Sequence, residues 1–145
     1  WLGQDLTGLK CVDAFAGTGA LGFEAASRGA AMVLMCERDA QLERTLIASR
    51  DRLGAKNLLV QRGDAVAMLA RLPTASQDVI FLDPPFAGDL YLPALKAAAK
   101  AIKPNGWIYL EANRTWPAEE LVQLGLGIAR QSKAGAVHYH LLSRI

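Results

Sequence analysis

Residues 11–37 read CVDAFAGTGALGFEAASRGAAMVLMCE, and the fold is decided there. A short apolar run, Cys11–Ala16, predicts a buried strand. It enters a glycine-rich turn in which Gly17, Gly19 and Gly22 keep the G-x-G-x-x-G spacing. Gly19–Arg28 then predicts a helix, closed by Gly29 where helices commonly stop. A second apolar strand follows over Ala31–Cys36, with Glu37 at its end, about 20 residues after Gly17. Strand, glycine turn, helix, strand is the opening unit of a parallel sheet, because parallel neighbours need a crossover between them. Glycines at such a turn let the backbone bend sharply and approach a ligand at the helix start, where free N–H groups point outward.

The same alternation continues to the right. Asp39 is placed to cap a helix through Leu53 that Gly54 ends. Leu58–Gln61 predicts a third strand, and Asp64 can cap a helix through Leu72. Asp78–Leu82 predicts a fourth strand that stops at two prolines. Leu90–Ile102 is rich in Ala and Lys and predicts a helix, ended by Pro104 and Gly106 before a fifth strand at Trp107–Leu110. A short helix around Ala118–Leu124 leads to two strand-like runs, Gly127–Gln131 and Val137–Leu142, expected to pair as a hairpin around Ser132–Gly135. The fold class is therefore α/β: a Rossmann-like, mostly parallel sheet with helices on both faces and a C-terminal antiparallel hairpin. Right-handed crossovers put the loops after Ala16, Cys36, Gln61, Leu82 and Leu110 on one edge, where sheets of this kind bind ligands.

Bulk properties narrow the function classes. A chain of 145 residues that is 52% hydrophobic is expected to form a single domain over 1–145 with a substantial core. No run reaches the roughly 18 apolar residues of a membrane span, and no signal-peptide pattern opens the chain. The first residue is Trp1 rather than Met, so a preceding N-terminal segment is expected to be missing. A net charge of +2 permits a nucleic-acid partner without demanding one. Cys11 and Cys36 lack the paired spacing of a zinc site and are expected as free, buried thiols, which suits a cytoplasmic protein. His138 and His140 share a strand face, but no Cys or carboxylate completes a ligand set, so no metal is expected.

Two loops carry the chemistry. In DAFAGTGALG, residues 13–22, the glycine spacing alone suits a dinucleotide as well as other nucleotide-like ligands. Asp13 bears on the choice, since a carboxylate just ahead of the glycines repels a pyrophosphate and suits a cationic ligand. S-adenosyl-L-methionine carries an ammonium and a sulfonium and no phosphate. Asp13 can equally serve the loop by accepting backbone N–H bonds, and both roles are compatible. Glu37 can accept hydrogen bonds from ribose hydroxyls. In Gly63-Asp64-Ala65 the carboxylate can accept an adenine amino group or cap the helix that follows.

The second loop closes the stretch VIFLDPPF, residues 79–86. Two prolines make a stiff turn that presents carbonyl oxygens and no donors. Asp83 adds a carboxylate acceptor and Phe86 a flat face. An exocyclic amine of a nucleobase is a poor nucleophile because its lone pair is delocalised into the ring. Acceptors that grip both its N–H bonds favour a pyramidal nitrogen, and a carboxylate stabilises the positive charge that grows there during methyl transfer. An aromatic such as Phe86 stacks on an extruded base, worth about 1–3 kcal/mol.

Together, FAGTGALGFEAASRGA, the acidic ERD after the second strand, FLDPPF, and the tail SKAGAVHYHLL at 132–142 resemble the RsmD family. Its members are bacterial methyltransferases that modify a guanine amino group in small-subunit ribosomal RNA. The resemblance implies a class I methyltransferase fold, a seven-stranded sheet with the last strand antiparallel. It implies S-adenosyl-L-methionine held by Asp13, Phe15, Ala16, Gly17, Thr18 and Gly19, by Glu37 and Arg38, and by Asp64 and Ala65. It implies Asp83, Pro84, Pro85 and Phe86 as the catalytic loop that grips guanine. An Arg-rich segment usually precedes the position of Trp1 in that family, where it helps close the cofactor site and touch RNA. Arg114 and Lys133, exposed cations near the catalytic loop, are the expected RNA phosphate contacts. The expected partner is small-subunit rRNA or an assembling ribosomal subunit, met by a monomer. Methylation of a DNA adenine or cytosine amine, and an NAD-linked oxidoreductase, are the alternatives; neither a separate DNA-recognition domain nor a proton donor for hydride transfer is visible.

Overall fold

The computed structural model describes residues 2–3, 5–85 and 89–145. In chain order the elements are β1 (Lys10–Asp13), α1 (Ala20–Ser27), β2 (Met32–Glu37), α2 (Ala40–Leu53), β3 (Leu58–Arg62), α3 (Ala65–Arg71), β4 (Gln77–Leu82), α4 (Tyr91–Ala101), β5 (Ile102–Ala112), α5 (Ala118–Val122), β6 (Leu126–Ala134) and β7 (Val137–Arg144). The seven strands form one sheet in the order β3-β2-β1-β4-β5-β7-β6. Strands β1 to β5 pair in parallel, and β7 runs antiparallel to both β5 and β6. The hairpin of β6 and β7 thus folds back so that its second strand, not its first, meets β5.

The apolar runs of β2 and β4 lack strict alternation because both faces of the sheet are covered. On one face Val12, Ile80, Leu82, Ile108 and Leu110 pack with α3, α4 and α5 residues such as Leu69, Leu95 and Leu121. On the other, Cys11, Val33, Met35, Val79 and Phe81 pack with Ala25 of α1 and Leu46 of α2. Cys11 and Cys36 are free and buried, as expected. Helix α2 begins where Asp39 accepts hydrogen bonds from the N–H groups of Gln41 and Leu42 at 2.8 and 2.9 Å, and stops at Gly54 in the left-handed conformation.

Three local expectations are corrected. The first strand ends at Asp13, not Ala16. Beyond it the Ala16 N–H turns to the Cys36 carbonyl, at 3.0 Å, and Gly17 takes φ 55°, so the chain leaves the ladder with Asp13 at its tip. The fifth strand starts directly after α4: Ile102 pairs with Gln77, residues 103–106 bulge out, and regular pairing resumes at Trp107 opposite Val79. Pro104 fits there because a bulge needs no ladder donor from it. The hairpin turn is Gly135-Ala136, with Ala134 opposite Val137, so Ser132 and Lys133 belong to β6 rather than to the turn.

The strand order reverses between β1 and β4, since β2 lies to one side of the pair and β5 to the other. The crevice outside the carboxyl ends of β1 and β4 is the topological switch point, where no crossover fills the space and ligands of such sheets bind. Asp13 ends β1 and Asp83 follows β4 directly.

Candidate active site

A cavity of about 600 Å³ opens at this switch point. Its wall contains Asp13, Phe15, Ala16, Gly17, Thr18, Glu37, Arg38, Asp64 and Ala65, together with Asp83, Pro84 and Pro85. Gly19 stands outside the wall; it caps α1 with φ 88°, and a Cβ there would meet the Phe23 ring at 2.6 Å. Phe86 lies outside the described residues.

Each carboxylate is positioned by the backbone. Asp13 is almost fully buried, at 1% exposure. Its Oδ2 accepts the Gly22 N–H at 3.0 Å, whereas its Oδ1 is buried without a partner among the described residues. Burial pushes its carboxyl up to about 7, and the charges of Asp83, Glu37 and Glu111 add to the rise against the Gly22 bond. Glu37 accepts the Gly17 N–H at 2.9 Å through Oε1 and the Asp39 N–H at 2.8 Å through Oε2. One side chain thereby ties the glycine loop to the end of β2. Asp64 caps α3, its Oδ2 accepting from Ala67 N at 2.8 Å. One oxygen of Asp64 thus caps the helix, and the residue also lines the cavity.

Asp83 is half-buried, and its carboxyl rises to about 6, chiefly by burial and then through the neighbouring carboxylate of Glu111. Pro84 is buried and Pro85 exposed, so the loop is anchored on one side and open on the other. Glu111 sits at the end of β5 and was not singled out by any motif. The Tyr109 hydroxyl donates to its Oε1 at 3.0 Å. Tyr91, at the start of α4, buries its hydroxyl beside the Asn113 backbone, in a field set partly by Asp83 and Glu111. Tyr109 and Glu111 carry no short-range sequence signal, because only the register of β4 and β5 brings them towards Asp83.

Four carboxylates line the cavity, Asp13, Glu37, Asp64 and Asp83, against one cation, Arg38. Acceptors in that excess repel a pyrophosphate and accommodate ammonium, sulfonium, hydroxyl and amino groups. The unpaired Asp13 oxygen is the most direct sign, since a buried acceptor without a donor costs about 1–3 kcal/mol until a ligand supplies one. The residues present thus fit S-adenosyl-L-methionine.

Lys133 is exposed and lines a separate, smaller cleft of about 250 Å³ with Thr115, His138 and His140. Arg114 is exposed but engaged, with its guanidinium 4.2 Å from the centre of the Trp116 ring and 3.7 Å from Glu120. The two cations do not share a cleft.

The family model described as "Conserved hypothetical protein 95" matches residues 1–143. The ribosomal RNA small subunit methyltransferase D of Escherichia coli (strain K12) is 34% identical over 151 aligned positions, covering 99% of this chain and 73% of that protein. This chain belongs to the RsmD family. Its Haemophilus influenzae relative of the same description is 30% identical over 146 positions, 97% of this chain and 75% of that one. The solved structure of the Escherichia coli protein yhhF superposes with a TM-score of 0.82 at 32% identity, covering 96% of this chain and 77% of that one. As an RsmD-family protein, the chain has the class I methyltransferase architecture and is a methyltransferase.

Proposed function

We propose that this methyltransferase uses S-adenosyl-L-methionine to methylate the exocyclic amine of a guanine in small-subunit ribosomal RNA. The observation that carries the reading is that Asp13 and Asp83 line one cavity at the strand reversal: a buried carboxylate oxygen unpaired among the described residues, and a carboxylate on a double-proline loop. The relatives' description, ribosomal RNA small subunit methyltransferase D, supports the RNA class. Such a substrate implies a cytoplasmic setting, among assembling ribosomal subunits.

The cofactor supplies an electrophilic methyl group on a sulfonium. Asp13 meets its positive charge; Gly17 and Thr18 line it with backbone; Glu37 takes ribose hydroxyls while staying fixed by the Gly17 and Asp39 N–H groups; and Asp64 takes the adenine amine. Phe15, Ala16, Arg38 and Ala65 complete the wall, and Gly19 sets the turn. Asp83 accepts one N–H of the guanine amine and a carbonyl of the proline turn accepts the other. That grip keeps the nitrogen lone pair out of the ring and available for attack. The N–C bond would form as the sulfonium S–C bond breaks, with S-adenosylhomocysteine leaving as a neutral thioether; the nitrogen becomes positive, and the Asp83 carboxylate would stabilise that charge and then take the proton. Pro84 and Pro85 hold the turn rigid, and Phe86 stacks on the base. Lys133 contacts an RNA phosphate; Arg114 does so once it gives up Glu120.

The test is methyl transfer from labelled cofactor to undermethylated small subunits, free rRNA and DNA, using the full chain. Label in small-subunit rRNA, recovered as a methylated guanine amine, is the expected result. Label in DNA alone, or in no guanine, overturns the reading.

A further inference from the structure

Pairing register puts four residues in one row across the carboxyl end of the sheet. Leu82 pairs with Leu110, so Asp83, directly after β4, and Glu111 of β5 follow as neighbours. Glu111 pairs with Tyr139 of β7, and Tyr139 with Ser132 of β6. Side chains alternate along strands, so this row shares a face with the row behind it, Phe81 and Tyr109. The rings of Tyr109 and Tyr139 lie 6.3 Å apart, and those of Phe81 and Tyr109 6.0 Å. Within that aromatic setting the Tyr109 hydroxyl holds Glu111 Oε1 at 3.0 Å. The Glu111 carboxylate is near enough that its charge helps to raise the carboxyl of Asp83. Among the described residues, no donor other than Tyr109 reaches it.

Two acceptor-only side chains held side by side next to a catalytic loop ask for a ligand edge with two adjacent donors. Nucleobases differ in this respect. Guanine carries its exocyclic amine beside a ring N1–H, so both neighbouring groups donate. Adenine and cytosine carry theirs beside a ring nitrogen with a lone pair, which a carboxylate repels. We propose that Glu111 reads the ring N1–H of the target base while Asp83 holds the adjacent amine, making Glu111 the residue that selects guanine. This rests on the guanine reading above and adds to it the means of discrimination. Tyr109 is a positioning residue, restraining the Glu111 carboxylate from behind through its hydroxyl.

The test uses 2-aminopurine, which has the amine of guanine but a lone pair in place of the N1–H. Small-subunit rRNA is prepared with guanine or with 2-aminopurine at the mapped methylation position, and kcat/KM is measured with the full chain. The unmodified enzyme is expected to favour guanine by about 10–100-fold, the discrimination of one well-made polar base contact. Glu111→Gln, nearly isosteric and able to donate to a lone pair, is expected to bring the ratio within about threefold while S-adenosylhomocysteine binding is unchanged. Tyr109→Phe is expected to lower the ratio in part. Equal rates on both bases with the unmodified enzyme, or an undiminished ratio in Glu111→Gln, overturn the role of Glu111 and leave the guanine reading standing. Transfer to neither base overturns the guanine reading and this proposal with it.

Discussion

Asp13 shows how one carboxylate can be costly to the fold and useful to the site. Its carboxyl is held at about 7, against 3.8 ordinarily, so the folded protein binds that proton more tightly than the unfolded chain does. The proton therefore favours folding fully below about pH 4, and the advantage is lost as pH rises through about 7. Asp13→Asn keeps an oxygen for the Gly22 N–H and removes the buried charge. It is expected to melt a few degrees above the unmodified protein at pH 8 and to lose that difference near pH 4, while binding S-adenosyl-L-methionine at least about tenfold more weakly. Thermal denaturation at the two pH values, with calorimetry, checks both halves; equal melting at pH 8 counts against a buried ionised Asp13. Asp83 obeys the opposite demand, because it must be ionised to accept an N–H. With its carboxyl raised to about 6, kcat/KM for methyl transfer is expected to fall as pH drops through about 6. Asp83→Ala is expected to cost at least about 100-fold in transfer, with S-adenosylhomocysteine affinity little changed. Equal loss of both would assign Asp83 to cofactor binding. Both aspartates were legible as residues, since each follows an apolar run and precedes a glycine or proline turn. Glu111 was not, because its meaning depends on which strand lies beside it.

At the scale of the element, the strand–turn–helix unit around α1 was the easiest to read and is the most constrained. Gly19 combines φ 88° with a Cβ position only 2.6 Å from the Phe23 ring, so Gly19→Ala carries both backbone strain and a clash. A loss of about 1–3 kcal/mol is expected, visible as a lowered urea midpoint at unchanged slope. Gly17, with φ 55° and open space around it, is expected to tolerate the same change better in stability. Boundaries were less legible than existence. The strand before the glycine loop looked longer than it is because Ala14, Phe15 and Ala16 are apolar, yet they line the cavity and its approach rather than the ladder. The bulge at 103–106 is invisible to periodicity because it depends on Gly106 lying close to the Asp78 carbonyl, where a Cβ would come to 2.8 Å. Helix α2, by contrast, announces both ends through Asp39 and Gly54.

For the whole molecule, alternation predicted the sheet and the edge at which the cavity opens, but not the order of its strands. Order emerges from which apolar faces meet, and the last hairpin's inward strand carries no local mark. The cavity's acceptor excess makes a selective ligand response a property of the entire carboxyl edge: S-adenosylhomocysteine is expected to stabilise the protein by about 2.7 kcal/mol at 100 times its dissociation constant, and NAD not at all. A thermal-shift screen reads this directly, and stabilisation by NAD alone would reverse the cofactor assignment. The inserted position of β7 also sets a timetable. During synthesis β1 to β5 are complete while the outer edge of β5 is bare, since its partner is made only after β6. At ordinary rates of about 5–20 residues per second, that edge waits roughly 2–6 s for residues 137–144. An unpaired central-type strand is a template for other chains. The interval is thus a window in which the nascent chain depends on chaperones, and in which slowed translation past Ala112 would favour aggregation over folding.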